Sequence, residues 1–175
     1  MANHTLKIKL LKDFGFEKVH TIRTRPKRQN EIDGVDGYFM TSEKLDNLEK
    51  QGKIAYRFGV FGGEYAYLKD EIFSDKNYVF EMHYTTIDDW KKVRSDLKSI
   101  YIFPSDIKKA KIQIENRELS DEAETSRLNE IVEQYNFMIN NNDFKNKFDY
   151  IFYNNYDIES ENKLINLIYK LLKNK

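Results

Sequence analysis

Residues 21–39 read TIRTRPKRQNEIDGVDGYF. The residues leading in, EKVHTIR at 17–23, have the β-branched texture of a strand. From Thr24 to Asp36 the chain is polar, with Pro26 and Gly34 as breakers, and reads as a loop. A short strand is expected at 38–40. Arg25 and Arg28 stand three residues apart in this loop, with Glu31 three further on.

Upstream, TLKIKLLK at 5–12 is ambiguous. Leu6 and Leu10 repeat at helical spacing, yet Leu6, Ile8 and Leu10 also alternate with Lys as in a strand. Downstream, Ser42 predicts the N-cap of an amphipathic helix that Gly52 stops. Residues 53–68 (KIAYRFGVFGGEYAYL) predict a hairpin turning at Gly62-Gly63. Strands then alternate with helices: strands at 77–82, 99–103 and 149–153, helices at 87–97, 105–114, 122–140 and 159–173. Thr86 and Ser105 are placed as N-caps, Trp90 is read as core, and the Asn run at 140–142 as a helix end. The alternation implies an α/β fold, a parallel sheet flanked by helices, with a small antiparallel insert at 37–68.

The 175 residues suffice for one domain with a sizeable core, and no linker or repeat divides them. Twenty-nine acidic and 29 basic residues leave no net charge, and nothing demands a nucleic-acid or membrane partner. Residues 1–30, however, hold eight Lys or Arg against two acids, which suggests an anion site near the start. There is no Cys, and no apolar run reaches the roughly 18–20 residues that span a bilayer. The expected location is the cytoplasm. His4, His20 and His83 lack ligand spacing, so neither a metal nor a cofactor is expected, and no Ser–His–Asp arrangement supports hydrolysis.

The opening stretch resembles the nucleoside-monophosphate-binding segment of guanylate kinases, roughly S-x-x-T-R-x-x-R-x-x-E-x-x-G-x-D-Y-x-F. Arg25, Arg28, Glu31, Gly34, Asp36 and Phe39 match it, and Thr21 replaces the Ser. GGEYAYLKDEI at 62–72 is similar to the family's G-x-Y-Y-G-T-x-K, and IYIFPSD at 100–106 to its strand-Pro-Pro-Ser turn. NREL at 116–119 and SRL at 126–128 fall where the family has lid arginines. FDYIFYNN at 148–155 looks like its strand ending in Asn-Asp. The resemblance spans nearly the whole chain and implies a P-loop-kinase-like fold over residues 1–175, with 115–127 as a lid remnant.

By this resemblance Arg25, Arg28 and Tyr65, with Thr21 beside them, form the grip on a monophosphate. The pattern's Tyr in the first segment is replaced by Gly37, with Tyr38 one residue late. The guanine readers are replaced: Tyr56 stands for the Glu, Tyr67 for the Ser and His83 for the Asp, while Glu81 survives as an acid. Such exchanges should abolish guanine selectivity, although the same residues could equally pack an inert site. Arg117 and Arg127 are lid remnants or ordinary surface arginines.

The resemblance fails at the donor side. No G-x-x-x-x-G-K-[ST] occurs in the sequence, whose seven glycines are at 15, 34, 37, 52, 59, 62 and 63. Ala2-Asn3-His4-Thr5 stands where Gly-Lys-Ser/Thr-Thr would fall, and the strand before it is missing. Such a loop cradles the donor phosphates with backbone N–H groups. The expectation is a non-catalytic module binding a phosphate-bearing ligand, nucleotide or phosphorylated protein. The alternatives are a monophosphate kinase whose strand and loop lie outside these residues, and an inert structural or assembly protein. A missing central strand would further require the sheet to close up, to be filled by TLKIKLL, or to borrow a strand from a partner or second copy.

Overall fold

The computed structural model describes residues 12, 14–60, 63–116 and 121–173. They fall into two compact units, one running to Met82 and including Lys92–Ser95, the other formed by His83–Lys91 and the chain from Asp96 onward. The architecture is mixed α/β with parallel strand pairs flanked by helices, as the alternation predicts. Parallel pairing occurs in two separate two-stranded ladders, one in each unit, and in one strand pair of a four-stranded sheet in the first unit. The expectations for residues 5–12 and for Arg117 lie outside the described residues, Lys12 apart.

In the first unit, the strand expected over 17–23 is two strands. β1 (Glu17–Lys18) pairs in parallel with β6 (Tyr78–Val79), while β2 (Thr21–Arg23) enters a different sheet. The break falls at Val19, which is buried, and His20, whose N–H is taken by the Glu71 carboxylate at 2.6 Å. β2 pairs in parallel with β3 (Tyr38–Phe39) and antiparallel with β5 (Gly63–Leu68), which pairs with β4 (Ile54–Val60). The four-stranded sheet therefore begins at Thr21, not at residue 37.

Strand alternation gives this sheet two chemically distinct faces. Ile22 and Ala66 point to one, where helix α1 (Ser42–Lys50) packs Leu45 against them, with Tyr38, Met40 and Leu48 at the margin. Arg57, opposite Ala66, joins this side and reaches α1 through Asp46 at 2.7 Å and Glu49 at 2.6 Å. The other face carries Thr21 opposite Tyr67 and Arg23 opposite Tyr65, with Tyr56 and Phe58 alongside on β4. The helix cap is Thr41 rather than Ser42: its Oγ1 accepts from the N–H of Lys44. Gly52 at φ +71° ends the helix as expected. A short helix α2 (Lys69–Ile72), not anticipated, carries Glu71.

In the second unit, a 3₁₀ turn at Tyr84–Thr86 leads into α3 (Ile87–Val93), where Ile87 and Trp90 are fully buried. Thr86 turns its hydroxyl back to the His83 carbonyl at 2.7 Å and so lies in the turn before the helix. β7 (Ile100–Pro104) pairs in parallel with β8 (Tyr150–Asn154). Between them lie α4 (Ile107–Glu115), α5 (Asp121–Asn140) and the short α6 (Asn142–Lys145); α7 (Ile158–Lys173) follows. Asp106, not Ser105, caps α4, because Ser105 is held by the Asn154 carbonyl at 3.1 Å and by the Asn155 side chain. Asn141 is a cap as well, accepting from the N–H of Phe144. At the head of the ladder Ser99 and Asp149 lock together. The Ser99 N–H and hydroxyl donate to Asp149 Oδ2 at 2.8 and 2.7 Å, and the Asp149 N–H returns to Ser99 Oγ at 3.0 Å.

Candidate functional site

The face of the four-stranded sheet opposite α1 gathers most of the residues singled out in the sequence. Arg25 leaves the end of β2 half-buried and is fixed end-on by Glu31: Nη1 donates to Oε2 at 2.7 Å and Nη2 to Oε1 at 2.5 Å. A further Nη1 bond goes to the Pro26 carbonyl at 2.9 Å. The Arg28 N–H also donates to Glu31 Oε2 at 2.9 Å, so its backbone braces the pair while its side chain is exposed. The Glu31 hydrogen bonds, with a smaller contribution from the nearby Tyr65 hydroxyl, hold the Arg25 pKa above its ordinary value. After Glu31 and the Pro26 carbonyl, Arg25 keeps its Nε–H and one Nη2–H, the edge beside Tyr65 where an anion's oxygens would be met.

Glu31 is held at a pKa of about 2, first by its Arg25 hydrogen bonds, then by the Arg28 N–H and the fields of Arg25 and Arg23, against desolvation. A carboxyl lowered on folding stabilises the fold above its unfolded value, near 4.5, and loses that contribution as pH falls towards 2. Solvent screening at this partly exposed pair leaves about 1–2 kcal/mol. Urea unfolding of the parent and Glu31→Gln should differ by that amount at pH 7 and converge only as pH falls to about 2. A gap that is the same at both values would show that the charge carries none of it.

The aromatic part of the face is continuous. Phe58 stacks with Tyr56, Tyr65 and Tyr67 at centroid distances of 5.5, 5.6 and 6.5 Å, and Tyr67 meets Phe80 at 5.6 Å. Tyr67 is buried, which raises its pKa against a Thr21 hydrogen bond that lowers it. Its hydroxyl donates to the Glu81 main-chain carbonyl at 3.4 Å. Glu81 thus serves this face through its backbone, and its side chain is exposed.

Several expected site residues lie elsewhere. Tyr38 is turned to the covered face, packed on Ile22, Leu45 and Ala66, and donates to Glu71 Oε1 at 3.3 Å. The Glu71 carboxylate also meets His20 Nδ1 at 3.1 Å, which makes a His20–Glu71–Tyr38 cluster of its own. Alternation explains the correction: Phe39, opposite Arg23, is the β3 residue that points to the site. His83 belongs to the second unit, where its Nδ1 lies 2.7 Å from Thr85 Oγ1 and its ring packs on Tyr84. Burial lowers its pKa, with Glu130 opposing. Arg127, on α5, pairs with Glu130 at 2.6 Å.

Arg23 was missed in the sequence. Its guanidinium carbon stands 5.6 Å from the Phe39 ring centroid and that of Arg25 stands 5.5 Å from it, so one ring carries both cations. The signal was available, since Thr21 and Arg23 are two apart on a strand and share a face. Among the described residues no group of three or more His, Cys, Asp or Glu side chains could hold a metal ion. No described helix is long and apolar enough to cross a membrane.

Comparison with known proteins gives a consistent picture. A family model described as guanylate kinase matches residues 2–168. The guanylate kinase of Pseudomonas fluorescens (strain Pf0-1) is 27% identical over 137 residues, 72% of this chain and 66% of that protein. That of Mesorhizobium japonicum is 28% identical over 148 residues, 78% and 68% of the two. The chain thus spans about two thirds of the length of the curated relatives it matches. The crystal structure of guanylate kinase from Anaplasma phagocytophilum has the same fold, with a TM-score of 0.66 at 22% identity, covering 95% of this chain and 79% of that one.

Proposed function

This chain belongs to the guanylate kinase family, and we propose that these 175 residues bind a phosphate-bearing ligand, nucleotide or phosphorylated protein, without transferring phosphate themselves. The observation that carries the reading is Arg25: a half-buried guanidinium, fixed end-on by Glu31, with its Nε–H and one Nη2–H left beside Tyr65 for a ligand. A pre-set fork binds without first having to order its own side chain. Transfer also requires a cradle for the donor phosphates, and the sequence contains no G-x-x-x-x-G-K-[ST].

The second reading is phosphoryl transfer to a nucleoside monophosphate, favoured by the guanylate kinases among the relatives. Two measurements separate the readings. A coupled assay with ATP and GMP should give background turnover, and rates of about 1–100 s⁻¹ would establish the kinase instead. Calorimetry should detect inorganic phosphate, AMP and GMP, with binding weakened by salt and lost in Arg25→Ala. Binding unchanged by that substitution would place the site elsewhere. No binding of any of them would leave the third reading, an inert fold.

A further inference from the structure

The Tyr of the family pattern is absent at residue 37, and the structure shows what stands in that space. A Cβ built on Gly37 would lie 2.2 Å from Arg23 Nη1 and 2.5 Å from the Thr21 carbonyl oxygen. No real side chain tolerates such distances, so Gly37 is required for β2 and the Arg23 guanidinium to pass here. Arg23 Nη1 is tethered to the neighbouring Asp36 carbonyl at 2.8 Å.

That tether is the one hydrogen bond of the Arg23 side chain among the described residues, and a guanidinium has five N–H donors. Arg23 is only partly buried, so the donors left over from that tether are available to a ligand at this face. Arg23 lies directly across the ladder from Tyr65 and shares the Phe39 ring with Arg25. Its field also contributes to the low pKa of Glu31. The nearby carboxylates are engaged: Glu31 on Arg25, Asp36 on the Ile32 N–H at 2.8 Å and Asp33 on the Phe39 N–H at 2.9 Å.

We propose that Arg23 is a second guanidinium contact to the ligand's phosphate, beside Arg25 and Tyr65, and that it makes the site selective for a terminal phosphomonoester. This rests on the phosphate-binding reading above and deepens it. A Tyr hydroxyl offers one neutral donor, whereas Arg23 brings a full charge and a fork. The added charge favours an anion bearing two charges, a terminal phosphate, over a diester bearing one.

The test is calorimetry on the 175-residue chain with AMP as the monoester and 3′,5′-cyclic AMP as the diester. Arg23→Gln, which keeps a donor for the Asp36 carbonyl, should weaken AMP at least tenfold and flatten its salt dependence. Cyclic AMP should bind the parent weakly and Arg23→Gln about equally. AMP affinity within twofold of the parent in Arg23→Gln, with Arg25→Ala having lost it, would overturn the role of Arg23 and leave the site standing. A parent that binds neither AMP, GMP nor inorganic phosphate would overturn both. If Arg23→Gln does not fold, the parent decides. The Arg23 Nε–H resonance, assigned by its disappearance in Arg23→Lys, should shift when AMP is added, and an unmoved resonance would refute the contact.

Discussion

Tyr67→Ser should lower the unfolding free energy by about 3–5 kcal/mol, the range for truncating a large buried aromatic. The substitution restores the residue type that the family pattern has there, so it separates a lost reader from an acquired packing group. Tyr67 is 2% exposed and contacts Phe58 and Phe80 through its ring and the Glu81 carbonyl through its hydroxyl. A serine would vacate the ring volume and leave Phe58 and Phe80 without a partner between them. No guanine preference should appear, because Tyr56 still stands where the pattern has its Glu. Urea denaturation with the slope compared to the parent measures the first effect, and competition between guanosine and adenosine monophosphates the second. A cost below 1 kcal/mol would show that this ring is not part of the packed face, and a clear preference for the guanine nucleotide would show that position 67 alone decides base reading.

Trp90→Ala should be as severe, again about 3–5 kcal/mol. Trp90 is fully buried on α3, beside an equally buried Ile87, and both lie in the second unit. Removing the indole exposes or empties the volume that α3 encloses, and a seven-residue helix has little stability of its own to offset this. Trp90→Phe, which keeps an aromatic ring there, should lose less than half as much. Denaturation of both variants by urea provides the comparison. An alanine variant within 1 kcal/mol of the parent would mean that α3 is not anchored by this residue.

Much of this organisation was legible because it rests on local pattern. The alternation of short aromatic strands with polar-capped helices located β7, β8 and α3, α4, α5 and α7 to within a few residues, and Trp90 as core followed from its place in a helix. What could not be read depends on distant partners. Nothing local separates EKVHTIR into two strands. The division needs Glu71, 51 residues away, to take the His20 N–H. Caps were misplaced by one residue where two capping side chains adjoin, Thr41 with Ser42 and Ser105 with Asp106, because either can satisfy the same orphan N–H groups. Within the site, the fixed spacing of Arg25, Arg28 and Glu31 located the loop, but spacing alone does not assign a face. Tyr38 was for that reason placed in the pocket and Arg23 left out, although strand alternation sends Phe39 and Arg23 to one side and Tyr38 to the other.

The Ser99–Asp149 lock has a kinetic consequence. Its two residues are 50 apart, and the β7–β8 ladder that starts from them encloses all of α4, α5 and α6. Joining the ends of a loop that long costs about 3–4 kcal/mol of chain entropy beyond the constant term, before any ladder bond is made. Helices within the loop form on the microsecond scale, whereas distant strand pairing is slow. Weakening the lock, as in Asp149→Ala, should therefore slow refolding of this unit if the three bonds nucleate the ladder. It should instead speed unfolding, with refolding unchanged, if the ladder zips from its Pro104–Asn154 end and the lock closes last.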